Sequence, residues 1–254
     1  MKSLFVGLLV VSLVIAFSTF GWAGDWILYF SFDGDTGATV KDRSGNKNDG
    51  ALKNGAKIIK DGKYKDALEI DGVNAVMEVE STKALEEYQD NTFMWWIKFT
   101  KGADNSWRQI IAKKAPGSDR SPGVWINPGG TGIHYRYNAG NMGFGRVGPG
   151  GENKDFALNQ WYHIAGVKKG NKLTMYIDGK AEGTVDVPEK HAQGTEKLYV
   201  GKTGYNPAWF IMDDLAVYSR ALTADEVKTN MGGVVAVSPG GKLTATWASI
   251  KEIR

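Results

Sequence analysis

The chain has 254 residues, room for one or two domains, and an all-β sandwich of this size is commonly a single one. Hydrophobic residues make up 42% and charged residues 23%, ordinary globular usage that excludes a disordered chain and a multi-span membrane protein. With 31 basic against 28 acidic residues and no long basic run, the charge argues against a nucleic-acid partner; the absence of cysteine removes disulfides, thiolate metal sites and cysteine nucleophiles.

Residues 1–23 read as a targeting segment. Lys2 gives the positive start, Leu4 to Phe20 is apolar, and Gly21-Trp22-Ala23 places small residues three and one positions before a cut that leaves Gly24 first. An uncleaved anchor is the alternative, because the apolar run nearly reaches a membrane-spanning length. Nothing later approaches a span, so the domain that follows is expected outside the cytoplasm: extracellular, on the cell surface or periplasmic.

From Gly24 onward, short runs of two-residue alternation are broken by Gly, Asn, Asp and Pro, the pattern of β-strands joined by tight turns. Trp26, Leu28, Phe30 and Phe32 share one parity. Further strands are expected over Ala67 to Asp71, Val76 to Glu80 and Thr92 to Thr100, the last with Phe93, Trp95, Ile97 and Phe99 on one face. Trp107 to Lys113, Gly123 to Asn127, Gly132 to Tyr137, Trp161 to Lys168, Lys172 to Asp178, Lys197 to Lys202 and Phe210 to Tyr218 follow the same rule. Asp178-Gly179 predicts a two-residue hairpin. Lys113 to Gly123 and the glycine-rich Asn138 to Asp155 read as long loops, natural binding edges on a rigid sandwich. The convincing helix is Thr223 to Met231, where Thr223 and Glu226 form a capping box and Gly232-Gly233 stops the element. Val234 to Ser238 and Leu243 to Trp247, around Pro239-Gly240-Gly241, suggest a hairpin in a C-terminal tail over residues 232–254.

Several segments, taken in order, resemble the laminin G-like subgroup of concanavalin A-like jelly rolls of secreted bacterial proteins. They are Tyr29-Phe30-Ser31-Phe32-Asp33-Gly34, Asp42 to Gly50, Ala67 to Asn74, Trp95-Trp96-Ile97-Lys98, Trp161 to Val167 with Leu173 to Lys180, and Ile211 to Leu222 leading into Thr223-Ala224-Asp225-Glu226-Val227. The resemblance implies an all-β, antiparallel two-sheet β-sandwich jelly roll over residues 24–231 with one short C-terminal helix. Such folds host lectins, enzymes and inert spacers alike. Most of the tryptophans then belong between the sheets, Trp95 and Trp161 first among them.

Trp107, Trp125 and Trp209 lie beside polar or Gly- and Pro-containing loops, where a flat ring could stack on a sugar; Arg136, Asn138, Asn141 and Arg146 could add hydrogen bonds. Each ring has a packing alternative. Calcium needs six to eight oxygen ligands, and oxygen-bearing side chains gather at Asp33 with Asp35, in the turn Asp42 to Asp49, and at Asp213 with Asp214. The resemblance places the first and last strands side by side with calcium often linking them, which nominates Asp33 and Asp213, with Asp42 in the turn as a further carboxylate. The alternative is that Asp and Asn serve turn geometry there. An EF-hand is rejected, since Lys47 and Lys53 replace its glycine and bidentate glutamate. Glu69 and Asp71 share a parity as in laminarinase-like enzymes, but the third carboxylate is missing, while Glu78 and Glu80 fit a solvated face. His134, His163 and His191 have no zinc spacing, and His163 reads as a satisfied, partly buried strand residue.

The expectation is therefore an exported, non-catalytic module that binds a glycan or extracellular glycoprotein with a structural calcium ion. A structural or protein-adhesion domain without a sugar site is the alternative, and a glycoside hydrolase the third reading.

Overall fold

A computed structural model describes residues 26–233. The proposed targeting segment and the hairpin suggested around Pro239 lie outside these residues. In chain order the elements begin β1 Trp26–Phe30, β2 Thr39–Val40, β3 Gly50–Lys53, β4 Lys57–Ile59, β5 Ala67–Asp71, β6 Val76–Val79 and a one-turn helix α1 Lys83–Glu86. They continue with β7 Asn91–Lys101, β8 Arg108–Lys113, β9 Gly123–Ile126, β10 Ile133–Tyr137, β11 Met142–Gly148 and β12 Gly151–Glu152. The series ends with β13 Trp161–Lys169, β14 Lys172–Ile177, β15 Lys180–Asp186, β16 Leu198–Gly201, β17 Trp209–Tyr218 and α2 Ala224–Met231.

The strands form two antiparallel sheets. An eight-stranded sheet runs β15-β14-β13-β7-β17-β5-β4 with β1 also on β17; a nine-stranded sheet runs β12-β11-β10-β9-β8-β16-β6-β3-β2. The two-sheet sandwich expected from sequence is present, with α1 added to the expected C-terminal helix. Residues 138–155, expected as a loop, instead hold the β11–β12 hairpin. Their glycines mark close strand approach: a Cβ on Gly143, at φ +132, would sit 2.2 Å from the Tyr135 carbonyl oxygen. The Asp178-Gly179 turn is as read, with both residues at positive φ between β14 and β15.

Alternation explains the core. Phe93, Trp95, Ile97 and Phe99 on β7 face Val124, Ile126, Ile133, Tyr135 and Tyr137 of the other sheet, all fully buried, each contributing about 1.5–3 kcal/mol of transfer free energy. Leu28, Phe30 and Phe32 join them, but Trp26 does not, because a bulge between Trp26 and Leu28 shifts the register. Trp26 stacks instead on Tyr29, with ring centroids 5.4 Å apart. Trp161 also departs from expectation. It pairs with Lys98 on the outer side of the eight-stranded sheet, half-buried with the Lys98 ammonium 5.1 Å from its ring centroid.

A second apolar cluster covers part of that outer face: Met94, Ala165, Val167, Ala216 and Tyr218 meet Leu222 and Val227 of the α2 region. The capping box holds the helix start. Thr223 Oγ1 accepts from Glu226 N at 3.2 Å, and Thr223 N donates to Glu226 Oε2 at 2.8 Å.

Candidate functional site: the outer face of the nine-stranded sheet

Because Val124 and Ile126 point inward on β9, and Ile133, Tyr135 and Tyr137 on β10, the intervening Trp125, His134 and Arg136 fall on the opposite, outer face. Register sets them in two rows. Gln109, Trp125 and His134 are cross-strand partners, and so are Ala112, Gly123, Arg136 and Gly143. The Trp125 ring lies down over Gly123, where a Cβ would meet a ring carbon at 2.1 Å. From the loops, Arg120 covers this ring at 4.8 Å and Tyr205 meets its edge at 5.7 Å.

Trp125 is therefore 1% exposed and forms the floor of the face. Its expected role as a stacking surface is corrected: Arg120, Tyr205 and His134 already occupy its contacts. Trp107 remains 36% exposed, with its ring centroid 4.5 Å from that of His134. His134 Nδ1 lies 2.9 Å from the Gly145 carbonyl oxygen, which assigns the proton to Nδ1 and leaves Nε2 an acceptor. Burial, with the charges of Arg136 and Arg120, pushes this imidazole down to about 4, so it is neutral at pH 7.

The far end of the face is polar. Arg120 pairs with Asp119 and donates from Nε to Asn141 Oδ1 at 2.9 Å, while Arg136 Nη1 donates to the Asn141 carbonyl at 2.8 Å. Asn141 N reaches Asn138 Oδ1 at 3.1 Å, and Asn138 Nδ2 donates to Ser118 Oγ at 2.7 Å. These bonds tie the β10–β11 turn to the 118–120 loop. Beside them lies an open cavity of about 430 Å³, lined by Ser118, Asn138, Ala139, Gly140, Lys190, His191 and Ala192.

Five sequence-selected residues thus share one face: Trp107, Trp125, Arg136, Asn138 and Asn141. Two do not. Arg146 turns to Asp155, whose Oδ1 accepts from the Thr131 and Gly132 amides, so it braces a turn. Trp209 begins β17 in the other sheet with Lys101 and Arg108 over its ring at 4.3 and 4.2 Å. Sequence reading missed Arg120 and Tyr205 and considered His134 only for zinc; Arg120 does lie within the loop singled out as a binding edge.

Of the calcium candidates, Asp42 is set apart by its own hydrogen bonds, while Asp33 lies near enough to Asp213 for its charge to act there. Asp42 Oδ1 accepts from Tyr29 N and Ser44 N, and Oδ2 from Ser44 Oγ and Asn48 N, all within 3.0 Å. The carboxylate's acceptor positions are filled, and Asp42 is a turn builder rather than a metal ligand. Asp33 Oδ1 accepts from Asp66 N at 3.2 Å; Asp213 accepts from Tyr64 N and Asp214 N at 3.1 and 2.8 Å. Burial first, then the Asp214 and Asp33 charges, pushes the Asp213 carboxyl up to about 7. Among the described residues no group of three or more His, Cys, Asp or Glu side chains could hold a metal ion.

The carboxylates of the hydrolase reading are also engaged. Glu69 pairs with Lys57 at 2.7 Å, and Asp71 Oδ1 accepts from Val73 N at 2.9 Å and Ala75 N at 3.4 Å. Glu78 meets Lys53 and Lys197, and Glu80 meets Lys197. His163 is 1% exposed, with Nδ1 buried and unpartnered, which corrects its reading as a satisfied residue.

A family model described as the concanavalin A-like lectin/glucanases superfamily matches residues 71–228. No curated protein matches the chain. Among solved structures, the binding domain of Paraclostridial Mosquitocidal Protein 1 is similar at 16% identity and TM-score 0.62, over 82% of this chain and 52% of that one. Domain 4 of an extracellular GH43 arabinanase from Geobacillus stearothermophilus, solved with arabinotriose, is similar at 17% identity and TM-score 0.59, over 81% of this chain and 98% of that one. The botulinum neurotoxin serotype D binding domain is similar at 13% identity and TM-score 0.59, over 83% and 52%. The chain thus spans about half the length of the two toxin binding domains and nearly all of the arabinanase domain.

Proposed function

This chain belongs to the concanavalin A-like lectin/glucanases superfamily, and from that premise we propose that it is an exported, non-catalytic module that binds saccharide, free or on a glycoprotein, on the outer face of its nine-stranded sheet. The observation that carries the reading is the pairing on one face of an exposed, ring-backed Trp107 with a fixed polar end made by Arg120, Arg136 and Asn141. A sugar needs an apolar ring for its C–H face and oriented donors and acceptors for its hydroxyls. Trp107 supplies the first, His134 Nε2 an acceptor beside it, and the arginines the donors. The arabinanase domain solved with arabinotriose supports saccharide as the ligand class.

A panel of neutral and acidic glycans, probed with the chain from Gly24, tests the reading. Trp107→Ala is expected to weaken binding at least about tenfold with little loss of stability, since the ring is exposed. Trp209→Ala is expected to lower stability and leave binding intact. A blank panel from folded protein would sink the saccharide reading in favour of protein adhesion. Secreted chain whose N-terminal sequence begins at Gly24 would support export; retention of residues 1–23 would favour the anchor.

Calcium enters the proposal through Asp33 and Asp213, without Asp42. Its support is the buried Asp213 carboxyl, pushed up first by burial and then by the neighbouring Asp214 and Asp33 charges, beside which a cation would be favourable; with two carboxylates, main-chain and water oxygens would complete the coordination. Millimolar calcium is expected to raise the thermal midpoint relative to chelator, and the gain to vanish in Asp213→Asn. Equal midpoints with and without calcium would remove the ion.

A further inference from the structure

The polar end of the saccharide face carries more positive charge than its neighbours neutralise. Arg120 has Asp119 as an ion-pair partner. Arg136 has none: it enters no ion pair with any described residue, and one hydrogen bond, Nη1 to the Asn141 carbonyl at 2.8 Å, engages a guanidinium that carries five N–H donors. Its Nε is buried without a partner. Its Nη2 lies beside exposed Gly145, where even a Cβ would approach to 3.4 Å. Burial and the Arg120 charge both act against protonated Arg136 and lower its pKa. His134, the remaining titratable ring here, is neutral, and no carboxylate other than Asp119 is bonded to either arginine.

A half-buried arginine held beside a second arginine by neutral contacts is unfavourable in the free protein and becomes favourable once an oxyanion arrives. The fixing bonds through Asn141 and Asn138 hold the two guanidinium groups in place beforehand, so the ligand need not order them. We propose that Arg136, with Arg120 beside it, selects saccharides that bear an oxyanion, a carboxylate or a sulfate, with Trp107 and His134 taking an adjoining sugar ring. The inference rests on the saccharide reading above and narrows its ligand class.

The test uses oligogalacturonate, sialyllactose and a sulfated disaccharide, each beside its methyl-esterified or desulfated form, titrated calorimetrically against the chain from Gly24 and its Arg136→Gln variant. At least one acidic probe is expected to bind about ten- to a hundredfold more tightly than its neutralised form, as for a hydrogen-bonded charge. Arg136→Gln is expected to erase that preference while its thermal midpoint stays at or above that of the parent. Preference for a carboxylate probe or for the sulfated probe identifies which oxyanion is read, and either supports the proposal. Equal binding of charged and neutralised forms, or a preference that survives in Arg136→Gln, would overturn it and leave the saccharide reading standing. Failure of every probe and of the neutral panel would overturn both.

Discussion

Gly166→Ala is expected to lower the thermal midpoint by about 2–12 °C, although the change adds a single methyl to the middle of a strand. Gly166 lies on β13, paired with Phe93 and Met175, and takes no positive φ, so backbone strain is not the cause. The cause lies across the sandwich. A Cβ here would meet the Tyr135 ring of the other sheet at 2.6, 2.8 and 2.9 Å, distances that force the ring to shift. Tyr135 is itself fully buried beside Tyr137, with centroids 5.9 Å apart, so it has no free direction in which to move. Overpacking of this kind costs about 1–3 kcal/mol, and a domain of about this size shifts by roughly 2–4 °C per kcal/mol. Tyr135→Leu removes the atoms that clash. In the double variant the penalties should couple by about 1 kcal/mol or more in denaturant melts, whereas additivity within about 0.5 kcal/mol would show that the ring and the glycine do not compete for one space.

That contact also shows what the sequence can and cannot tell. The alternation of Phe93, Trp95, Ile97 and Phe99 reads directly as one buried face because strand periodicity is local. The Asp178-Gly179 turn and the Thr223–Glu226 capping box are legible for the same reason: each is decided within four residues. Gly166 carries no such mark, since the space it leaves is filled by a residue 31 positions away in the other sheet. Trp26 was misread through a bulge that one strand's sequence does not announce. The candidate site divides along the same line. Tryptophans beside loops flagged the right region, but whether a ring is floor or surface depends on what folds over it. Trp125 is covered by Arg120 and Tyr205, while Trp107, two residues along the chain from Trp125's cross-strand partner Gln109, is not. Asp42 shows the limit for metals: an Asp-rich turn has the composition of a calcium loop, and its hydrogen bonds turn inward to its own backbone.

Acid should destabilise this domain well above the pH at which carboxylates titrate, because all three of its histidines are buried. His163 is 1% exposed and pushed down to about 3, and His134 and His191 to about 4, burial being the largest cause for each. In the unfolded chain each titrates near 6.5. Above that pH neither state holds the three extra protons and stability is complete. As pH falls from about 6.5 toward 4 the unfolded state takes them up while the native state refuses them, so stability is lost. Asp213, raised to about 7, and Asp35, also raised by burial, act in the opposite sense, because their native carboxyls bind protons before the unfolded ones do. Three histidines set against these two carboxyls leave a net release of one to two protons on folding, about 1.4–2.7 kcal/mol per pH unit at the steepest point. Two units of acidification therefore remove at most about 3–5 kcal/mol, a large share of a typical domain stability of about 5–15 kcal/mol. Denaturant melts in chelator at pH 7.5, 6 and 5 should show the midpoint falling throughout. His163→Phe keeps a ring against Trp96, whose centroid lies 5.3 Å from that of the imidazole, and removes the buried nitrogen that has no partner. It should equal or exceed the parent at pH 7.5 and lose stability more slowly on acidification, by about one proton's slope. A parent midpoint that stays flat from pH 7.5 to 5, or a His163→Phe slope as steep as the parent's, would show that these imidazoles open to water and protonate without unfolding.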